Sequence, residues 1–351
     1  MHDSTTDTDA AASEASSEGT DAGVEGTDAP DERPAGEALD GLAVEDAVER
    51  VRARDPDRDP EAVRAALSFV ADDGVVGRDA LEESLKLTSK VLTTAETRVE
   101  LAEIALDDAR EAAASVPDLP TVRTRLEGFE AEVSAVTERA AALGPDLQAV
   151  VDDREDPAAR FAVADGLRRV DERARAVQRT ADEIQFDLED FERWLANHAV
   201  RVRELDEDLD ALATSLDDLA TAADAIETAT PDDDPARIWF DATLSHRATG
   251  LTVADLRAEL ADLRTWADRE DADPVEDGGL DDLAARLDDL DRRHEDLDDR
   301  LDTAAEPAWT DRFGDRVAAA ETDLDECEPP VDWGVVGSVL DEHRATLDSD
   351  A

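Results

Sequence analysis

Tyrosine is absent from this chain, cysteine occurs once, at Cys327, lysine occurs only at Lys86 and Lys90, and aromatic residues make up 3% of the sequence. Each shortage excludes something. A lone cysteine forms no internal disulfide, which points to a reducing compartment and a fold held by packing. The five histidines, at positions 2, 198, 246, 294 and 343, are too dispersed to read as a zinc set. No GxxxxGK[ST] or GxGxxG loop occurs, nor a GxSxG elbow, so the usual signatures for nucleotides and nucleophilic catalysis are missing. Long apolar runs are missing too. The longest lies near WGVVGSVL at 333–340, far short of the ~20 residues a spanning helix needs. The first residues, MHDSTTDTDAAASEASSEG, carry neither a basic start nor an apolar centre. No signal peptide is expected, and the predicted location is cytoplasmic.

What is abundant is acid. Aspartate and glutamate number 94 against 36 lysines and arginines, a formal charge of −58 over 351 residues. Such self-repulsion is severe in dilute buffer, but at 1 M salt the Debye length is about 3 Å and most of it is screened. Hydrophobic residues still make up 41% of the chain and recur periodically. That combination predicts a folded protein adapted to concentrated salt rather than an acidic disordered chain. The same charge disfavours nucleic acid as a partner.

The pattern along the chain predicts an all-α fold in five segments. Residues 1–40 hold twelve acids and one arginine among Ser, Thr, Gly and Ala, and read as a disordered acidic tail. Residues 41–78 read as a small helical unit, with Asp59 and Pro60 as N-cap and first helical residue, then a turn and a brief extended piece at Val75–Val76. Helix, helix, extended piece, helix is also the order of a winged helix. Residues 79–152 carry two heptad seams, Leu81 to Ala113 and Leu119 to Leu143, separated by PDLP and ended by GPD at 144–146. A short link between two such seams predicts an antiparallel hairpin. Residues 153–230 carry the longest seam, from Val163 to Ile226 with no glycine or proline after Leu167, which predicts one unbroken helix over 157–229. Residues 231–351 complete a C-terminal bundle segment. They show a break at Gly250, a capping box at Thr252 and Asp255, a loop at DADPVEDGG and further seams beyond. The whole is predicted to be an elongated antiparallel coiled-coil bundle around the one very long helix.

The carboxylates do not single themselves out as a site. In LDEDLDALATSLDDLA (205–220) leucines occupy the seam and aspartates the faces left over. DPDRDPEAVRAA begins with the oxygen spacing of a calcium loop at Asp55, Asp57 and Asp59, but has Pro60 and Ala66 where the loop needs Gly and Glu. No catalytic, cofactor or metal residues are predicted. Two groups remain. His198 and His294 both occupy seam positions; folding 235–268 back along the long helix puts position x opposite roughly 464 minus x. That register predicts a core cluster of Trp194, His198 and Trp266, and no pairing of His198 with His294. The most basic stretch, with Arg168, Arg169, Arg173, Arg175 and Arg179, could bind a protein partner or pair with acidic helices of its own bundle. The role of Lys86 and Lys90 does not follow from the sequence.

The preference for arginine over lysine with abundant Asp, Ala and Val resembles proteins of salt-loving archaea. Residues 59–114, DPEAVRAALSFVADDGVVGRDALEESLKLTSKVLTTAETRVELAEIALDDAREAA, resemble a family of haloarchaeal acidic coiled-coil proteins labelled halo transducer protein. That resemblance implies a signalling role like that of soluble chemoreceptors and brings no catalytic residues with it. The residues themselves point first to a non-enzymatic coiled-coil scaffold or interaction protein of a halophilic cytoplasm. The alternatives are a soluble transducer that relays helix shifts and a regulator using 41–78 as a winged-helix-like unit. Heptad seams can be satisfied within one chain or between two, so a homodimer stays open.

Overall fold

Most heptad positions of the sequence are buried in the fold. In the computed structural model, which describes residues 39–230, 234–270 and 274–349, Leu92, Val99 and Leu106 are buried on one face of a helix and Leu205, Leu212 and Leu219 on one face of another. Apart from one two-stranded hairpin, the regular structure of the described residues is helical: α1 (Val44–Arg54), α2 (Pro60–Phe69), α3 (Arg78–Ala114), α4 (Pro120–Asp152), α5 (Arg160–Ala196), α6 (His198–Thr228), α7 (Pro235–Glu270), α8 (Pro274–Ala304), α9 (Pro307–Leu324) and α10 (Trp333–Ser349). No helix among these residues is long and apolar enough to cross a membrane.

The small unit begins earlier than composition suggests. Residues 1–38 of the expected tail lie outside the described residues, but Leu39 is buried and Asp40 forms a bidentate pair with buried Arg160 at 2.6 and 2.7 Å. Asp59 caps α2 by accepting from the backbone N–H of Glu61 and Ala62, and Pro60 supplies a first residue with no donor to waste. Strands β1 (Ala71–Asp72) and β2 (Val75–Val76) pair antiparallel across Asp73 and Gly74, both at positive φ. The unit packs Val48, Leu67 and Val76 with Val163 and Leu167 of α5.

Two three-helix bundles follow. In the first, α3 and α4 run antiparallel, with Arg110 on Glu130 and Thr137 on Glu103. α5 returns parallel to α3, shown by Gln178 donating to the Val91 carbonyl and by Arg98 on Asp182. In the second, α7 runs antiparallel to α6 and α8 returns parallel to it. Arg286 bridges Asp206 and Asp210, Arg293 pairs with Asp217, and Arg300 pairs with Asp224 and Glu227, a ladder repeating every seven residues. α9 then lies on α7, through Phe240 on Phe313 at 5.0 Å and Arg247 on Glu321, and α10 reaches α7 through Arg344 donating to the Ser245 hydroxyl at 3.1 Å and α9 through His343 on Asp323.

Three expected breaks are misplaced. The unbroken helix over 157–229 does not form: a 3-10 turn at Pro157–Ala159 precedes α5, and the rod is cut at Asn197, whose backbone is extended at φ −139 and ψ 109. The asparagine side chain accepts from the N–H of Ala199 and Val200 and so starts a new helix. The phase of the seam slips there, with Arg201 buried while His198 and Val202 are only half-buried. Conversely, α4 runs straight through GPD. Pro145 removes a bond to the carbonyl of Ala141, an exposed residue on the solvated side. α7 likewise runs through Gly250, so Thr252 and Asp255 lie mid-helix and form no capping box. Of the expected loop at 271–279, residues 271–273 lie outside the described residues and α8 already begins at Pro274.

Candidate functional site at the joint of the two bundles

The cut at Asn197 exposes the last carbonyls of α5, and Arg201 covers them. Its guanidinium donates to the carbonyls of Trp194 and Leu195 at 3.2 and 3.0 Å and lies 3.8 Å over the Trp266 ring. Trp266 meets Trp194 edge to face at 5.4 Å, and Trp194 stacks on Phe191, which touches Phe129 of α4. Both indoles are buried, and neither N–H has an acceptor among the described residues. The joint is therefore a wall of rings held by cations rather than by indole hydrogen bonds.

The N-terminus of α4 docks onto this wall. Thr121 donates to Asp262 of α7 through both its backbone N–H (2.9 Å) and its hydroxyl (2.8 Å). One turn further, Arg125 lies 4.3 Å over the Trp194 ring and bridges Glu204 of α6 and Glu259 of α7, the latter at 2.9 Å. Beside it opens a cleft of about 430 Å³, walled by Arg125, Asp208, Leu212, Asp255, Glu259 and, across the mouth, Trp333. Asp255 holds that mouth in place by accepting from the N–H of Val331 (3.0 Å) and the indole of Trp333 (3.3 Å).

Burial sets the chemistry of the cleft. Burial chiefly pushes the Glu259 carboxyl up to about 7; the Arg125 charge pulls it back, and Asp208, Glu204 and Asp255 add to the rise. Asp208 is also raised, first by burial and then by Glu204. A carboxyl titrating near neutrality between two helical bundles can take up or release a proton, and with it the charge that Arg125 answers. No group of three or more potential metal ligands occurs among the described residues.

The residues singled out from the sequence separate here. Trp194 and Trp266 are together. His198 is not with them; it lines a surface hollow with Val202, Gly279 and Leu283, and Arg201 takes the place beside Trp266. His294 does form a histidine pair, but with His246, a residue that sequence reasoning passed over. The rings stack at 3.8 Å and 3°, and each Nε2 lies 3.0 Å from the other's backbone oxygen. The arginine stretch is largely engaged within the chain, and mostly along α5 itself. Arg168 pairs with Asp165 and Glu172, Arg169 with Asp165, Arg175 with Asp171, and only Arg173 crosses, to Asp146 of α4; Arg179 is exposed. In the small unit, Arg58 pairs with Asp55, and Arg64 with Glu45 and Glu61. Comparison with protein-family models, with curated proteins and with solved structures finds no match for this chain.

Proposed function

We propose that the chain is a non-enzymatic helical scaffold or interaction protein working in a salt-rich cytoplasm, its bundles behaving as elongated antiparallel coiled coils. One observation carries this reading. A single apolar core runs from Leu92 of α3 through the aromatic joint to Leu297 of α8, while the faces left outside are acidic. A long, rigid, well-hydrated surface is what a binding platform needs. The basic stretch of α5 would offer a protein partner its exposed arginines, Arg169, Arg173, Arg175 and Arg179. The test is reconstitution in molar KCl: a partner captured by the full chain should re-form a stoichiometric complex from purified components, weakened by Arg173→Glu with Arg179→Glu. Failure to reconstitute any saturable complex ends the reading.

A second reading has an observation of its own. Glu259 titrates near neutrality at the joint, where Arg125 of α4 bridges α6 and α7. This favours a transducer that relays helix shifts across Asn197, as the haloarchaeal resemblance also implies. Spin labels on exposed sites of α5 and α7 should then report a different separation at pH 6 and pH 8. An unchanged distance distribution sinks this reading and leaves the scaffold standing.

A further inference from the structure

The cleft beside Arg125 lies between α6 and α7 and is bounded on one side by the segment 330–333. Its volume of about 430 Å³ is one that small-molecule sites commonly have. Leu212, Leu256 and Val331 give it apolar walls, and its charges do not balance. Asp208, Asp255 and Glu259 line it with one cation, Arg125, which Glu204 already shares. Both oxygens of Asp255 accept, from the N–H of Val331 and the indole of Trp333. Arg125 occupies one oxygen of Glu259, Oε1. Asp208 is half-buried and makes no hydrogen bond or ion pair among the described residues. Carboxylates drawn away from water in this way are costly until a cation meets them.

The mouth is an independent sign of a ligand. Of the five tryptophans, Trp194, Trp239 and Trp266 are buried and Trp309 is half-buried. Trp333 is 44% exposed, and its indole N–H, tied to Asp255, fixes the ring at the cleft. A fixed aromatic face beside carboxylates is the arrangement that recognises organic cations. We propose that this cleft binds a small organic cation, an ammonium or guanidinium on an apolar body, with Asp208 and Glu259 meeting the charge and Trp333 and Leu212 the body. The described residues contain no group of three or more potential metal ligands, so a bare divalent ion finds no cage here. In molar salt the Debye length is about 3 Å, and charge alone would not tell a ligand from the potassium around it. Apolar contact survives that screening, so the ligand must offer both. The proposal goes beyond the scaffold and transducer readings and depends on neither.

A cation bound beside Glu259 favours its ionised form, so affinity rises as pH passes the value of about 7 at which that carboxyl titrates. The charged groups that face Glu259 are Arg125 of α4, Glu204 and Asp208 of α6 and Asp255 of α7; the segment 330–333 lines the cleft with Pro330, Val331 and Trp333. The probe is 2-phenylethylammonium, titrated calorimetrically into the full chain in molar KCl, with 2-phenylethanol as its uncharged counterpart. The expected result is one saturable site, tightening by up to about tenfold from pH 6 to pH 8, with the alcohol about tenfold weaker than the amine at pH 8. Asp208→Asn and Trp333→Ala should each weaken the amine by about tenfold while leaving the far-ultraviolet circular dichroism unchanged. Asp218→Asn, the same loss of charge at an exposed position of α6 outside this cleft, should leave the affinity as it is. The same cation can arrive free or on a partner's side chain, so a second titration uses arginine between two glycines with both ends blocked. Tighter binding of the amine assigns the cleft to a free ligand, and tighter binding of the peptide assigns it to a basic side chain of a partner. No saturable heat with millimolar amine at pH 8, equal binding of amine and alcohol, or full affinity in both Asp208→Asn and Trp333→Ala overturns the proposal.

Discussion

His246 and His294 donate to each other's main chain. Each ring Nε2 lies 3.0 Å from the partner's carbonyl oxygen, and the rings stack 3.8 Å apart. Because carbonyls only accept, both Nε2 atoms carry a proton. The Nδ1 of His246 is buried 3.4 Å from Asp298, with Arg247 beside it. Burial, first of all, holds His246 below 6.5 despite Asp298. The unfolded chain then binds the proton more readily, so stability is lost as pH falls below about 6.5 towards the lower folded value. Urea midpoints measured in molar KCl between pH 7.5 and 5 should fall more steeply for the natural chain than for His246→Gln. Equal slopes would refute the assignment.

Glu259 acts in the opposite direction over the same range. Its carboxyl is raised from 4.5 to about 7, so the folded chain holds the extra proton and stability falls as pH rises between those values. That gap corresponds to about 3 kcal/mol as an upper figure. Glu259→Gln should therefore stabilise the chain at pH 8 by up to about 3 kcal/mol and leave it nearly unchanged at pH 5. A uniform loss at both values would mean that the Arg125 pairing, not burial, dominates.

Asn197 and Trp266 hold the joint by different means. Asn197→Ala removes the cap of α6 and should cost about 1 kcal/mol. Trp266→Ala empties a fully buried site under the Arg201 guanidinium and should cost about 3–5 kcal/mol. Chemical denaturation in molar KCl checks both, with the tryptophan variant expected to lose much more.

Gly250 makes room for His294. A Cβ at 250 would stand 3.2 Å from the His294 Cε1, and that ring is fixed by its stack on His246. Gly250→Ala should therefore forfeit the gain of about 1 kcal/mol that alanine brings to a helix interior. In a His294→Ala background the same substitution should recover it. Additive effects in this double-mutant cycle would show that the ring yields freely.

Salt should govern the fold as a whole. At −58 the chain repels itself across distances that 0.1 M salt, with a Debye length of about 10 Å, leaves unscreened. Helical circular dichroism and the urea midpoint should both rise with KCl towards molar concentrations. Full stability in dilute buffer would contradict this account.

The seams of α3, α4, α5 and α6 were legible because burial repeats with the helix, and the Asp59–Pro60 start because capping is local chemistry. What escaped was the meaning of single irregular residues. Pro145 and Gly250 read as breaks, yet one falls on a solvated face and the other sits under a ring. Asn197 lies between seam residues that keep their spacing, so the cut it makes leaves no gap in the pattern. His246 stood in the least periodic stretch, and only the sight of α8 beside it gives it a role. At the joint, Trp194 and Trp266 followed from an antiparallel register, whereas Arg125 and Glu259 depend on how α4 docks, which periodicity does not encode.

The arginine ladder between α6 and α8 has a last consequence. Its rungs at Arg286, Arg293 and Arg300 are interchangeable, so sliding one rod by a full heptad would re-mate two of them with new aspartates and leave the leucines matched. A ruler with identical divisions carries no zero mark. The zero is supplied by what occurs once: the stacked imidazoles at 246 and 294, the notch at Gly250 that receives one of them, and the crossed indoles at 194 and 266.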